Sequence, residues 1–249
     1  MSPADFAAFA ETLADAARAV TLGAADRAAE DKNEGGVYDP VTAADREAER
    51  VIRALIEQAF PDHGIAGEEF GVKEGAGRHV WSLDPIDGTR AFICGLPSWT
   101  TLIALLEDGR PVAGLIDVPA LDERYLGFAG AAGLKASDCR RLAEARACTT
   151  DPYLFAGAEA DGFERLRRAA RLTRYGYDAY AYARLAVGSI DVVAESGLKP
   201  HDYNALIPVV RAAGGVIGNW RGEDDFSAGQ VLAAATPDLF EEAVRVLAV

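Results

Sequence analysis

Apolar residues recur at helical spacing from the start of the chain, with Phe6, Phe9, Leu13, Ala17 and Val20 forming one stripe of an Ala-rich segment. Residues 3–30 are therefore expected to form a long amphipathic helix. The run 31–40, with Gly35, Gly36 and Pro40, breaks it. Thr42 then precedes a strongly helical stretch, Ala43 to Ile56, expected to end near Phe60 just before Pro61. Asp45 falls in the first turn of that helix and points back toward the preceding loop.

From Gly64 to about Phe128 the pattern changes to short apolar runs separated by turn residues. The runs 65–66, 80–83, 100–105, 112–118 and 124–128 read as strands, and Asp108-Gly109 between two of them is a hairpin signal. Residues 129–150 read as a connection. Beyond it, strands near 153–156, 173–176, 190–194 and 215–218 alternate with helical patterns at 161–171, 178–187, 202–213 and 237–247. Alternation of this kind implies helices packed on a sheet, an α/β (α+β) architecture. No internal repeat, low-complexity tract or long linker interrupts it.

Composition narrows the function classes. With 249 residues, half of them hydrophobic, the chain can bury the core of one large domain or of two closely packed halves. It has no apolar run long enough to span a bilayer and no basic-then-apolar leader, so a cytoplasmic location and no membrane contact are expected. Cys94, Cys139 and Cys148 show no CxxC spacing and read as reduced thiols packed as small apolar groups. Lys and Arg total 25 against 39 Asp and Glu, a net charge of −14, which disfavours nucleic acid as a partner. Solubility accounts for most of that charge. A small phosphorylated metabolite remains compatible with it, because bound divalent cations supply a local positive centre.

The chemistry concentrates in Trp81-Ser82-Leu83-Asp84-Pro85-Ile86-Asp87-Gly88-Thr89. Pro85 disfavours the helical region for Asp84, which should end an extended segment, and Gly88 permits a sharp turn. Both acids and the Ile86 carbonyl could then face one point suited to Mg²⁺, with Thr89 close enough to hold a water. A lone D-P-x-D-G reads better as an Asx-type turn capping a helix. Asp45, Glu68 and Asp202, however, also lie where a strand or loop gives way to a turn or helix start. Convergence of these five carboxylates would itself imply metal, since their mutual repulsion needs cations to neutralise it. His63, His79 and His201 have no Cys or second His at ligand spacing and read as structural.

Gly67-Glu68-Glu69, the 81–92 segment, and His201-Asp202 followed by Gly214-Gly215 resemble the inositol monophosphatase family of Mg²⁺-dependent, lithium-sensitive phosphatases over nearly the whole chain. Residues 88–99 and 197–203 are closer to its histidinol-phosphate phosphatase branch. The resemblance implies a layered α-β-α-β-α sandwich of the sugar-phosphatase type and a homodimer. It also implies one phosphatase domain, in which residues 1–150 carry most metal ligands and 151–249 carry Asp202 and the substrate contacts. Glu68, Asp84, the Ile86 carbonyl, Asp87 and Asp202 match the family's ligands for about two or three Mg²⁺ ions, with Mn²⁺ an alternative. Thr89 and Asp45 match the pair that positions and deprotonates the attacking water, with Glu68 completing the catalytic set. Gly88 and Thr89 would offer N–H groups to the phosphate, with Arg90 on the substrate side. Two departures, His201 where Trp is common and Cys94 where a polar residue is common, bear on specificity.

Histidinol phosphate is the leading substrate, ahead of inositol or another sugar-alcohol phosphate, with nucleotide 3′-phosphates and fructose bisphosphate further back. Glu195 and Asp178 suit its amine and imidazole by charge. Asp178 reads equally as the N-cap of the following helix. Arg184 could reach a phosphate or a neighbouring subunit, or stand solvated. Trp99 and Tyr203 read as packing residues, Glu69 as support for Glu68, and Lys32 as part of a loop that closes the site or as a surface lysine. A non-catalytic module holding a structural cation is the competing class; Thr89 beside Asp45 argues against it.

Overall fold

The computed structural model describes residues 3–25, 27–32 and 40–248. The Gly35-Gly36 run expected to break the first helix lies outside them. Helix α1 (Pro3–Gly23) stops short of the expected residue 30, because Gly23 is a poor helix former and the chain beyond it gains a ladder instead. That ladder pairs β1 (Ala29–Asp31) antiparallel with β2 (Pro40–Thr42). Helix α2 (Ala43–Ala59) starts and ends as expected. Its cap residue Thr42 accepts from the Ala44 N–H at 3.2 Å, Asp45 accepts from the Thr42 N–H at 2.9 Å, and Phe60 closes the C-terminus before Pro61.

A six-stranded sheet follows, built from β3 (Gly64–Gly67), β4 (Gly71–Lys73), β5 (His79–Asp87), β6 (Thr100–Glu107), β7 (Arg110–Val118) and β8 (Glu123–Phe128). Its order is β4-β3-β5-β6-β7-β8, antiparallel except for β3 on β5, and the short helix α3 (Thr89–Ile93) follows β5. A second sheet takes the order β10-β9-β11-β13-β12 from β9 (Arg146–Thr149), β10 (Leu172–Tyr175), β11 (Val192–Glu195), β12 (Val216–Gly218) and β13 (Val231–Ala234). Around it run α4 (Ala158–Ala169), α5 (Tyr180–Ala186), α6 (Pro200–Tyr203), α7 (Leu206–Ala212) and α8 (Pro237–Leu247).

Several expected elements move. The strand expected near 153–156 lies at β9, inside the stretch read as a connection. Pro152 has no N–H to give a ladder and instead opens a single 3₁₀ turn, capped by Asp151, which accepts the Tyr153 N–H at 2.9 Å. The helix expected over 202–213 is two pieces, α6 and α7, and β13 and β4 carry no signal that the hydrophobic period singled out. Of the three cysteines only Cys148 is fully buried; Cys94 is exposed, at the end of α3.

The layering follows from the period-two alternation of strand side chains. Ile103 and Leu105 of β6, with Ala113 and Leu115 of β7, pack against Phe6, Leu13, Ile52 and Ile56 of α1 and α2. Their neighbours Leu102, Ala104, Ile116 and Val118 face the other way, onto α5 and α7. The second sheet closes the same central layer with Val193, Val231 and Ala233. Its opposite face sets Val192, Leu232 and Ala234 against Phe163 and Leu166 of α4 and Leu239 and Phe240 of α8. The result is the expected α-β-α-β-α sandwich. Both faces of both sheets are covered, which is why these strands read as continuous apolar runs. Among the described residues, no helix is long and apolar enough to cross a membrane.

Candidate active site

The turn after β5 is shaped by a bulge. Asp84 pairs with Leu102 on β6, but Asp87 pairs with Thr100, so three steps on β5 match two on its neighbour. Residues three apart on a regular strand point to opposite faces; the extra residue returns Asp87 to the face that Asp84 uses. The strand thus continues through Pro85 to Asp87 rather than ending at Asp84, and the Thr101 hydroxyl fixes the bulge by donating to the Pro85 carbonyl at 2.8 Å. Gly88 then adopts φ +81°, where a Cβ would sit 3.0 Å from Asp178 Oδ2, so glycine is required both for the turn and for the close approach.

Carboxylate oxygens of Asp84, Asp87 and Asp202 lie within 4.8 Å of one another. Asp202 arrives from α6, held by the Lys199 N–H at 2.7 Å. Asp87 Oδ2 accepts the Ala179 N–H at 2.8 Å and the Thr100 hydroxyl at 3.2 Å. Burial, then the charges of Glu68, Asp87 and Asp202, push the Asp84 carboxyl well above the ordinary carboxylate range. Asp87 is pushed up in the same way, by burial and by Asp178 and Asp202. Asp202 is raised by burial, with His201 opposing. An oxygen-only donor set under this mutual repulsion fits a hard divalent cation.

Glu68 sits on the turn after β3. Burial acts on it most strongly and would raise its pKa, but the Lys32 ammonium, 2.8 Å from Oε1, brings it net below the usual range. The same ammonium is 2.5 Å from Glu69 Oε1, so Lys32 bridges both acids. Beneath this turn lies Glu49, fully buried on α2, and its carboxylate accepts the N–H groups of Glu69 at 2.7 Å and Phe70 at 3.2 Å and pairs with Arg53 at 2.7 Å. Gly67 makes room for it, since a Cβ there would lie 2.0 Å from Glu49 Oε1. Glu49 escapes the motif reading. Its signal is a glutamate on the same α2 stripe as Ala48, Ile52 and Ile56.

One turn earlier on α2, Asp45 is 1% exposed. Its Oδ1 lies 3.4 Å from the Thr89 hydroxyl, which also lies 3.0 Å from the Ile86 carbonyl oxygen. Burial raises the Asp45 pKa against the opposing Thr42 bonds. Glu68, Asp84, Ile86, Asp87, Gly88, Thr89, Arg90, Asp178, Glu195 and Asp202 all line one cavity of about 270 Å³. Asp45 reaches it through Thr89, and His201 borders Asp202 at 3.5 Å.

On the far side, Glu195 ends β11 and accepts the Thr149 hydroxyl at 3.0 Å, the Thr150 N–H at 2.7 Å and the Thr150 hydroxyl at 2.9 Å. Burial outweighs those bonds and lifts its pKa to about 8. Asp178, raised by burial to about 6 with Arg90 opposing, has φ +46° and turns its carboxyl toward Gly88. It is not the N-cap of α5, which has Ala179 in that place and no side-chain cap. Arg184 does not line the cavity. Its guanidinium donates to Ser189 Oγ at 2.8 Å and lies 3.5 Å from Glu123, so the phosphate contact is absent from this geometry. Trp99 packs edge-on against Phe92 and Tyr203 stacks on Phe226.

The chain matches the inositol monophosphatase family over residues 2–248. It is 43% identical over 225 residues to the chloroplastic bifunctional phosphatase IMPL2 of Arabidopsis thaliana, covering 84% of this chain; it spans only 65% of that relative's length. Over 244 residues it is 36% identical to the histidinol-phosphatase of Streptomyces coelicolor, with 90% of each chain covered. An inositol monophosphatase from Zymomonas mobilis superposes over 99% of both chains with a TM-score of 0.86 at 38% identity.

Proposed function

This chain belongs to the inositol monophosphatase family, a phosphatase family that is generally metal-dependent, and from that premise we propose that it is a Mg²⁺-dependent phosphomonoesterase converting histidinol phosphate and water to histidinol and phosphate. The observation that carries the reading is the two-sided cavity. One side gathers Asp84, Asp87, Asp202 and Glu68; the other presents the separate acids Asp178 and Glu195 to the body of the ester. A relative named histidinol-phosphatase that matches over 90% of each chain supports the same substrate. The Zymomonas mobilis likeness keeps inositol 1-phosphate as the second reading.

Glu68, Asp84, the Ile86 carbonyl, Asp87 and Asp202 would hold the cations, residues 1–150 supplying most of the set and 151–249 supplying Asp202 and the substrate contacts. When bound, Mg²⁺ supplies neutralisation of the phosphate oxygens and acidification of water. The chain's own groups position and accept the proton. Thr89 has one hydroxyl proton; donated to Asp45 Oδ1, it leaves the oxygen lone pairs free to accept from the attacking water. The water proton then passes through Thr89 Oγ1 to Asp45, whose burial makes it a stronger base than an exposed aspartate. Gly88 and Thr89 offer N–H groups to the phosphate, and Arg90 lies beside them on the cavity wall. Glu195 and Asp178 recognise the cationic body, whose charge favours their ionised forms against the burial that raises both. A homodimer in the cytoplasm completes the proposal, resting on the family likeness.

Phosphate release is measured for histidinol phosphate and myo-inositol 1-phosphate on one preparation, with Mg²⁺ and with chelator. Chelator-sensitive turnover with a higher kcat/KM for histidinol phosphate is expected. A preference for the inositol ester overturns the substrate, and chelator-resistant turnover overturns the metal dependence.

A further inference from the structure

Glu195 on the substrate side and Asp202 on the proposed metal side are joined by one short loop, whose residues Ser196, Gly197, Leu198 and Lys199 all line the cavity. The loop therefore sets the spacing between the two halves of the site. Two pins hold it. The Leu198 N–H donates to the Gly229 carbonyl at 3.0 Å, and the two backbones approach so closely that a Cβ on Gly229 would lie 2.8 Å from the Leu198 carbonyl oxygen. The second pin is made by side chains: the Ser196 hydroxyl donates to Glu159 Oε2 at 2.8 Å.

Glu159 lies in the first turn of α4, behind the cavity wall. Its other oxygen, Oε1, accepts the side-chain N–H of Gln230 at 2.7 Å. Strands β11 and β13 end their pairing at Glu195 with Val231, so Ser196 and Gln230 are the residues just beyond that last pair. One carboxylate thus ties the two chains together where the ladder stops and the loop departs. The helix dipole alone favours an acid in this turn, but it favours exposed Asp161 there equally. What distinguishes Glu159 is that both of its oxygens hold the ends of strands in the neighbouring sheet. Three residues along the loop, the Lys199 N–H in turn holds Asp202 at 2.7 Å.

We propose that Glu159 is a positioning residue, bracing the 196–199 loop from outside so that Asp202 and the wall beside Glu195 keep the spacing that the cation and the ester need. The inference rests on the metal-dependent phosphatase reading and goes beyond it by placing a determinant of the site in the outer helical layer. Without the brace the loop keeps its pin at Leu198, and half-buried Ser196 and Gln230 turn to water, so the fold survives while the loop loses its fixed position. A residue that acts through others in this way changes binding by roughly 3–30-fold.

The test measures Mg²⁺ affinity by calorimetry, together with KM and kcat at saturating Mg²⁺ for whichever of histidinol phosphate and myo-inositol 1-phosphate the wild type hydrolyses faster. Wild type is compared with Glu159→Ala, Ser196→Ala, the double variant and Asp161→Ala. Glu159→Ala is expected to weaken Mg²⁺ binding and to raise KM, each roughly 3–30-fold, with kcat within about twofold of wild type. Ser196→Ala and the double variant should match it, because all three cut the same bond and the losses do not add. Asp161→Ala, which removes only a charge at the helix start, should match wild type. If Glu159→Ala fails to fold, Ser196→Ala carries the same prediction. Unchanged Mg²⁺ affinity and KM, additive losses, or an equal loss in Asp161→Ala overturns the brace and leaves the phosphatase intact. A wild type that binds Mg²⁺ but releases no phosphate refutes the phosphatase reading alone, since calorimetry still reads the brace; one that binds no Mg²⁺ refutes both.

Discussion

Replacing Asp87 by Asn separates what the acid cluster does for stability from what it does for turnover. Asparagine has nearly the shape of aspartate and keeps an oxygen for the Ala179 N–H, now 2.8 Å from Asp87 Oδ2. It removes one of three charges gathered within 4.8 Å, where two unit charges repel by ~3.5 kcal/mol at an effective dielectric constant of 20. Burial and this repulsion already raise Asp84 and Asp87, so the metal-free protein sheds part of the repulsion by protonation. About 1–2 kcal/mol of it remains to be relieved by the substitution. In a chain of this size each kcal/mol moves Tm by ~2–4 °C, so Asp87→Asn should melt about 2–8 °C higher than wild type in chelator near pH 8. With Mg²⁺ the order reverses: wild type gains stability from the ion, the variant gains little, and its phosphate release falls at least ~1,000-fold. Thermal melts with and without Mg²⁺, beside a phosphate-release assay, read all three quantities. A variant with full activity, or one less stable than wild type in chelator, would refute the reasoning.

Thr89→Val keeps the shape of the residue and removes the hydroxyl, so turnover should drop about 100- to 10,000-fold while calorimetric Mg²⁺ affinity stays put; a parallel loss of affinity would make Thr89 structural. Glu49→Ala leaves the Glu69 and Phe70 N–H groups without their acceptor, and Mg²⁺ affinity by calorimetry should weaken ~10–100-fold with the far-UV spectrum unchanged. An unaltered affinity would mean that Glu68 is placed without it. Glu195 is raised to about 8 in the folded chain, so between its unfolded value and that pH the native state binds more protons than the unfolded one, and stability falls as pH rises through the window. Metal-free Tm should therefore decline from pH 5 to pH 8, and Glu195→Gln should flatten the decline; an equal slope in both proteins would remove Glu195 as its source.

How much of this was legible depends on whether a residue's role was local. The cap at Thr42 and Asp45, the end of α2 at Phe60 and the hairpin at Asp108-Gly109 are decided within a few positions of the chain, and the structure has them where the spacing predicts. Strand β9 lies several residues before the position that the hydrophobic pattern predicts, because Ala147 and Cys148 carry a weak β signal and gain their strand only by lying between β10 and β11. The edge pairing of β1 with β2 is likewise a tertiary choice that overrides an Ala-rich helical stretch.

At the site, the proline-glycine punctuation of residues 84–89 marked a turn, and the acids around it marked a cation. The bulge that turns Asp87 onto the face of Asp84 left no mark, because it is a mismatch between two strands rather than a property of either. Glu49 and Tyr182 show the complementary failure. Each is a polar residue on an apolar stripe, Glu49 at the spacing of Ile52 and Ile56 and Tyr182 among buried Ala181, Ala183, Leu185 and Ala186. A charged helix such as α2 hides one more glutamate among Glu47, Arg50 and Arg53, and a tyrosine in a buried helix passes for packing. Burial turns both into costs that something must offset. For Glu49 the fold supplies the partner in the two N–H groups of the turn after Glu68, so its role is to place that turn. For Tyr182 the described residues supply none, and the cost of its hydroxyl is set against the packing of its ring in the layer between the two sheets.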